Sequence, residues 1–304
     1  MRRTQAIGSP AIKRLLAIVL LATLAPAAAS ARDFEGRVPA EPGGDLRVEL
    51  DAGSVVLESH DRAEVRVDAL AVGLGARQLD FRLEANNNRV TLRGKGAAGW
   101  LPSLIGGGPH VRIHIRVPNE FSVDIRTAGG DIEIEGLEGR VRARTTGGRI
   151  AIGRIEGEVE AETSGGPIEA DEIEGRVRVR TSGGPIRLVD IEGPVDARTS
   201  GGGIDVLGAS AEVRARTSGG SIRVRFDDQP GGRLETSGGS IEVELPEGDG
   251  VRLEGRTSGG SILIDPELEA EGRIEPTRVS AEIGGGGDRL RVETSGGSIH
   301  IRVR

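Results

Sequence analysis

The chain has 304 residues, of which 36% are hydrophobic, 29% are charged and 49 are glycines. This apolar content is too high for a disordered glycine-rich polymer, and the length is sufficient to bury a large core without disulfides. The formal net charge is -7, and it becomes -11 without residues 1–31, which carry four cations and no acid. That sign argues against nucleic acid as a partner.

Residues 1–31 have the layout of a secretory signal peptide. The positive stretch MRRTQAIGSPAIKR precedes the apolar run LLAIVLLATLAPAAA, and the small residues ASA end at Ala31. The run is shorter than the roughly 20 residues that a membrane span requires. We therefore expect cleavage near Ala31, export to the periplasm or beyond, and no transmembrane segment in the mature chain. Because the sequence has no cysteine, we do not expect a lipoprotein, whose anchor is attached to that residue.

Residues 32–126 contain short runs in which apolar and polar residues alternate, such as DLRVEL and HVRIHIRV. Alternation with a period of two predicts strands with one buried face, so we interpret this region as degenerate coils of the repeat that follows. Residues 94–109, GKGAAGWLPSLIGGGP, interrupt the alternation and predict an inserted loop. Its apolar side chains either cover an open part of the fold or bind a partner: Trp100, Leu101, Leu104 and Ile105.

Residues 127–304 repeat a four-residue motif, which is TAGG at Thr127, TTGG at Thr145 and TSGG thereafter. The first five steps between copies are 18 residues each, and the last is 37, which we interpret as two coils with a degenerate middle copy. Each period contains two alternating runs joined by turns, and such a regular period is typical of a solenoid. The prediction is an all-β fold, a parallel β-solenoid (β-helix) with two strands per coil of about 18 residues, right-handed by analogy.

The double glycines of the motif predict tight turns in which glycine takes a positive φ at the least cost. These structural turn residues are Gly165, Gly166, Gly183, Gly184, Gly201, Gly202, Gly219 and Gly220. The threonine of the motif is expected to bond neighbouring coils or to close the turn. Residues 18 apart should be neighbours, and one outward row alternates in sign at every step, which helps to set the register: Arg142, Glu160, Arg178, Asp196 and Arg214.

The opening GGDLRVELDAGSVVLES, the repeated TSGGSI and the exported context resemble the bacterial "putative adhesin" family of β-strand-repeat proteins, whose function is unknown. The resemblance covers residues 34–304 and implies an exported β-solenoid. It also implies a link, for some members, to envelope-stress sensing. It supplies no catalytic residues.

No constellation of residues indicates a reaction, so we predict no enzyme, no cofactor and no metal site. The turns lack the Asp of calcium-binding GGxGxD repeats. His110 and His114 share one face of a strand about 13 Å apart, which is too far for one metal ion. Asp227 and Asp228 interrupt the repeat and are the best local candidates for a polysaccharide-cleaving carboxylate pair, but a turn explains them as well.

These features predict a non-catalytic exported envelope protein, an adhesin or binding scaffold that presents a rigid charged repeat surface to an envelope protein or a glycan. One alternative is a regulatory protein of the envelope-stress response, with residues 94–109 making the contact. The other alternative is a polysaccharide-active β-helix enzyme.

Overall fold

The structure is a computed structural model that describes residues 31–73, 76–96 and 110–304. Over these ranges it contains 27 β-strands, one 3₁₀ turn at Ala76–Gln78 and no α-helix. Accordingly, this part of the chain has no helix long and apolar enough to cross a membrane. The predicted signal peptide up to residue 30 lies outside the described residues. So do the four apolar residues of the predicted insert, Trp100, Leu101, Leu104 and Ile105.

The strands form two long sheets, which we name sheet A and sheet B. Sheet A has 13 strands: β1 (Ala31–Pro39), β3 (Ser54–His60), β4 (Glu64–Val72), β7 (His110–Pro118), β9 (Ile132–Glu138), β11 (Ile150–Glu156), β13 (Ile168–Glu174), β15 (Ile186–Ile191), β17 (Ile204–Ala209), β19 (Ile222–Phe226), β21 (Ile241–Leu245), β23 (Ile262–Ile264) and β27 (Ile299–Val303). Sheet B has 14 strands: β2 (Gly44–Leu50), β5 (Asp80–Asn86), β6 (Arg89–Lys95), β8 (Phe121–Thr127), β10 (Val141–Arg144), β12 (Val159–Glu162), β14 (Val177–Arg180), β16 (Val195–Arg198), β18 (Val213–Arg216), β20 (Gly232–Thr236), β22 (Val251–Thr257), β24 (Ala270–Glu275), β25 (Arg278–Ile283) and β26 (Asp288–Thr294).

Strands of successive coils pair in parallel at a spacing of 18 residues, as the sequence period predicts. In sheet B, Val141 pairs with Val159, and the column continues one coil at a time to Val213. In sheet A, Ile132 pairs with Ile150 in the same way. Each regular coil contributes one strand to each sheet, so the predicted parallel β-solenoid is confirmed.

Aliphatic side chains fill the space between the sheets, because every second residue of a strand points inward. The inward residues are chiefly Ile, Val, Leu and Ala, and they form one continuous cluster that runs the length of the stack. Phe121 and Phe226 are among its largest fully buried side chains. Removal of this apolar surface from water, at roughly 25 cal/mol per Å², is the main source of stability.

The double glycines lie in the turns, but positive φ is not the reason for most of them, contrary to the prediction. Gly184 and its equivalents in the adjacent coils, Gly166 and Gly202, have φ values outside the left-handed region. A Cβ atom on Gly184 would overlap the carbonyl oxygen of Gly166, because neighbouring turns stack backbone on backbone. The first glycine of the pair is less constrained, since a Cβ on Gly183 would lie 3.5 Å from the oxygen of Gly165. Close stacking is therefore what requires the second glycine.

The threonine of each motif connects neighbouring coils. Its side chain is buried in all nine copies. The Thr199 hydroxyl donates to the carbonyl oxygen of Gly184 in the preceding coil at 2.9 Å, and it accepts a bond from the amide of Gly202 in its own turn at 3.4 Å. One hydroxyl thus closes its own turn, fixes the adjacent coil and satisfies a buried carbonyl that would be costly to leave unpaired. Both of the expected roles of this threonine are present.

Near the two ends, the coils do not stack in chain order. The coil of β2 and β3 lies between the coil of β8 and β9 and the coil of β6 and β7. Similarly, the last coil, β26 and β27, lies between the coil of β20 and β21 and the coil of β22 and β23. The threonine bonds follow this order, because Thr294 donates to Gly239 and Thr257 donates to Gly297.

Antiparallel strands complete both ends. Sheet A continues beyond β7 with β4 and β1, and sheet B continues beyond β6 with β5. At the other end, the hairpin of β24 and β25 pairs with β22. The interpretation of the 37-residue step as two stacked coils is therefore wrong, since it contains β23 and this hairpin before the last coil begins.

Candidate functional site

The outer faces of both sheets carry columns of charged residues, one residue per coil. The column predicted from the sequence is present in register: Arg142, Glu160, Arg178, Asp196 and Arg214. Within it, Nε of Arg142 lies 3.2 Å from Oε2 of Glu160. Other members pair diagonally or along their own strand, as Arg178 does with Glu158 at 2.7 Å and Asp196 with Arg198 at 3.1 Å. The column is therefore part of a wider ionic network across sheet B.

Ion pairs lower the pKa of two glutamates that join adjacent coils. The pKa of Glu242 lies below its ordinary value of 4.5, first because Arg223 donates a hydrogen bond of 2.9 Å to its carboxylate. Burial raises the pKa of Glu235, but hydrogen bonds from Arg216 and Arg233 outweigh burial, so the net shift is also downward. A general acid needs a pKa raised towards neutrality. These two carboxylates instead stay charged and hold coils together.

Sheet A contains a stacked irregularity in five successive coils. One residue in each coil has a left-handed φ: Gly136 (72°), Arg154 (50°), Glu172 (53°), Asp190 (50°) and Gly208 (84°). The residues on either side of Arg154 pair with the next coil, whereas Arg154 itself is skipped in the register. The result is a column of stacked left-handed residues, which bends every strand at the same place: the buried residues on its two sides, such as Ile152 and Ile155, are three apart instead of two.

The bend accompanies a shallow groove of about 720 Å³ on the outside of sheet A. We name it the acidic groove, because a column of four glutamates lines it: Glu138, Glu156, Glu174 and Glu192. Glu156 is directly in register with Glu138 on one side and with Glu174 on the other. The one cation among the lining residues, Arg154, lies 2.8 Å from Glu135 instead. Like charges on neighbouring strands repel, so this column lowers stability where the alternating columns raise it.

The acidic groove is absent from the sequence-based expectations, although its signal is present. A glutamate precedes the glycine of the second turn, LEG or IEG, in four periods at a spacing of 18 residues. The column of left-handed residues carries no comparable signal. Arg, Glu and Asp occupy three of its five positions, and these residue types do not mark a left-handed φ in a sequence.

Three of the four other sequence candidates make structural contacts. Asp227 lines one end of the acidic groove, where Arg304 binds its carboxylate at 2.6 Å. Asp228 lies in a bend and accepts a hydrogen bond from the amide of Gln229 at 2.8 Å. Nε2 of His114 lies 3.1 Å from Glu58, while His110 is exposed at the start of β7. Within residues 31–73, 76–96 and 110–304, no group of three or more His, Asp or Glu side chains is arranged to hold a metal ion.

The fold and the repeat have known relatives. Residues 44–302 match the Toastrack DUF4097 family, and this range is well over half of the chain. The chain therefore belongs to the Toastrack DUF4097 family. No curated protein sequence matches it.

Solved structures of three bacterial proteins are similar to the chain at low sequence identity. A "putative adhesin" from Bacteroides fragilis NCTC 9343 shares 12% identity, with 89% of this chain and 97% of that chain covered and a TM-score of 0.44. A "putative lipid binding protein" from Parabacteroides distasonis ATCC 8503 shares 13%, with 88% and 96% covered and a TM-score of 0.46. A "putative cell adhesion protein" from Clostridium sporogenes ATCC 15579 shares 12%, with 90% and 100% covered and a TM-score of 0.25.

Proposed function

We propose that this chain is an exported, non-catalytic protein of the cell envelope that binds an extended partner along its repeats, after residues 1–31 are removed as a signal peptide. The observation that carries the proposal is the acidic groove, in which equivalent carboxylates recur once per coil on a rigid frame. Paired strands lie about 4.8 Å apart, so the carboxylates form an evenly spaced line. A partner with regularly placed positive charges can contact several of them at once.

The partner that fits this groove is an extended basic segment of an envelope protein. Positive side chains relieve the repulsion between Glu138, Glu156 and Glu174, so binding and the removal of that repulsion act in the same direction. The groove is open to solvent, so its interactions are screened by salt. Binding should therefore weaken as the ionic strength rises.

The first test measures binding of an oligolysine peptide to the chain from Ala31 onward, which contains every described residue. A double variant, Glu156→Gln with Glu174→Gln, neutralises two adjacent groove carboxylates. The matched control, Glu162→Gln with Glu212→Gln, removes the same charge away from the groove, at the end of β12 and at the exposed residue before β18. We expect the groove variant to bind the peptide about tenfold more weakly, a loss of about 1.4 kcal/mol, because it lacks two of the four groove carboxylates. The control should bind like the parent chain. Equal loss in both variants would show that net charge, and not the groove, is responsible.

The second test captures the natural partner from an envelope extract. The predicted insert begins too early, because Gly94 and Lys95 belong to β6. The bait is the same chain, compared with the groove variant and with a chain that lacks residues 97–109. Capture of a basic protein that depends on the groove supports the proposal. Capture that depends on residues 97–109 would favour the regulatory alternative, and capture of a glycan would change the class of partner.

A further inference from the structure

The N-terminal end of the solenoid presents two strand edges. β1 lies at the edge of sheet A and β5 at the edge of sheet B, so their outer sides have no paired strand among the described residues. An unpaired edge exposes a row of amide and carbonyl groups that can add a further strand. The two edges lie opposite each other, because the rings of Phe34 in β1 and Phe81 in β5 have centroids 5.6 Å apart.

The inward side of this end is apolar and incompletely covered. Phe34, Val38 and Leu83 are only partly buried, unlike the inward residues of the regular coils. Together with the strand backbones they line an open groove of about 570 Å³. An edge that also exposes apolar side chains is a surface suited to a partner.

The sequence of β1 is complementary to itself in one antiparallel register. When the register is centred on Gly36, inward Phe34 lies opposite Val38 of a second copy, and outward Glu35 lies opposite Arg37 of that copy. The neighbouring register centred on Glu35 pairs Arg37 with Asp33 but also places Glu35 against Glu35, and the one centred on Arg37 places Arg37 against Arg37. Opposite charges on neighbouring strands attract and like charges repel, so the register centred on Gly36 is selected, because of these three it alone forms opposite-charge pairs without a like-charge pair.

The sequence of β5 has the same property when the register is centred on Leu83. Outward Arg82 then lies opposite Glu84 of the second copy, whereas the two neighbouring registers oppose like charges. The two centres face each other in the structure, because a Cβ atom on Gly36 would lie 2.7 Å from Cδ2 of Leu83. A two-fold axis that lies midway between the two copies of Gly36 therefore also passes between the two copies of Leu83. One symmetry operation satisfies both registers at once.

From this juxtaposition we propose that two copies of the chain associate head to head at their N-terminal ends, with β1 adding to β1 and β5 adding to β5 of the second copy. Both sheets continue across the interface, and the apolar residues Phe34, Val38 and Leu83 become part of one core. The interface is isologous, so the assembly closes as a dimer. This inference goes beyond the proposed function, since it does not depend on the acidic groove or on its partner.

The C-terminal end does not have this arrangement. Sheet B extends past the coil of β22 and β23 by β25 and β24, whereas sheet A ends at the three-residue strand β23 of that coil. The two edges at that end are therefore not opposite each other. A strand added to β24 would gain no second contact in sheet A, and this asymmetry favours a dimer over a filament.

The test uses charge reversal in β1 and measures molecular mass by analytical ultracentrifugation over a concentration series. The chain from Ala31 onward is expected to sediment as a dimer. Glu35→Arg opposes two arginines across the interface, and Arg37→Glu opposes two glutamates, so each variant alone should dimerise at least about tenfold more weakly. A 1:1 mixture of the two variants restores every opposite-charge pair and should recover the dimer as a heterodimer. Arg273→Glu, on the edge strand β24, is the matched control and should leave the dimer unchanged.

Each outcome decides the proposal. Circular dichroism and the thermal midpoint establish that each variant is folded, which matters because Arg37 also lies 3.6 Å from Glu64 of its own chain. Loss of the dimer in each single variant and its recovery in the mixture support the register. A variant that had merely unfolded would not be rescued by a second one. A parent chain that stays monomeric throughout, or a dimer that neither reversal weakens, would overturn the proposal.

Discussion

At the level of single residues, the two glycines of one motif differ in what they tolerate. A Cβ on Gly184 would overlap a backbone oxygen of the preceding coil, whereas a Cβ on Gly183 would make an ordinary contact. Overpacking against backbone that cannot move costs about 1–3 kcal/mol. We therefore expect Gly184→Ala to lower the free energy of unfolding by about 2 kcal/mol, and Gly183→Ala to change it by less than about 0.5 kcal/mol. Urea unfolding of the two variants measures both values, and equal effects would contradict the stacking argument.

A second prediction at this scale concerns Glu242, whose pKa is lowered chiefly by the hydrogen bond from Arg223. A carboxylate with a lowered pKa stabilises the fold while it is ionised, and it loses that contribution as the pH falls below its ordinary value of 4.5 and through its folded value. The thermal midpoint of the parent chain should therefore fall in that window more steeply than that of Glu242→Gln. Glu269→Gln removes the same charge from an exposed side chain and is the matched control. Parallel pH profiles for the parent and Glu242→Gln would contradict the assignment.

At the level of the strands, glycine should relieve the backbone strain in the column of left-handed residues. Glu172 has a φ of 53°, and the left-handed region costs a residue with a Cβ roughly 1–2 kcal/mol, while glycine adds about 0.5–1 kcal/mol of backbone entropy. We expect Glu172→Gly to raise the free energy of unfolding by about 0.5–1 kcal/mol. Asp171→Gly, one residue earlier in β13, should lower it, because that position has no left-handed φ to relieve. Chemical denaturation of the two variants measures both changes. A loss of stability in Glu172→Gly as well as in Asp171→Gly would contradict the prediction.

The same scale shows what the sequence can and cannot predict. The strands, their inward residues and the 18-residue register follow from local alternation, because each copy of the motif imposes the same turn and the same threonine bond. The reason for the second glycine does not follow, since its clash partner, such as Gly166 for Gly184, is a full coil away. The four glutamates of the acidic groove were open to prediction from the LEG and IEG turns. The left-handed residues beside them were not, because nothing local distinguishes Glu172 from an ordinary strand residue.

At the level of the whole molecule, the order of the coils near the ends could not be predicted from the repeat. β26 and β27 have the same alternation as any other coil, and only pairing with β20 and β22 on their two sides fixes their place. Local patterns specify that a coil forms. They do not specify which coils become its neighbours, and that choice depends on contacts far apart in sequence.

This order leads to a prediction about truncation. Removal of residues 288–304 deletes the last coil and leaves β22, β23 and the β24–β25 hairpin without their link to the stack. We expect proteases to cut this shortened chain back towards Leu245, whereas a chain that ends at Leu245 should resist further trimming. In a solenoid stacked in chain order, each coil contacts only its neighbours in sequence. Deletion of residues 288–304 would then remove only the end of the stack, and the rest of the chain would stay resistant to proteases. Limited proteolysis with mass spectrometry distinguishes the two cases.

The placement of the last coil also affects how the molecule resists mechanical force. A terminal coil at the end of a stack peels away one hydrogen bond at a time when its chain end is pulled. Here a pull on Arg304 loads the ladders to β21 and β23 in the same instant, so rupture requires shear of two seams together. Tension at the C-terminus must therefore break two hydrogen-bond ladders at its first step.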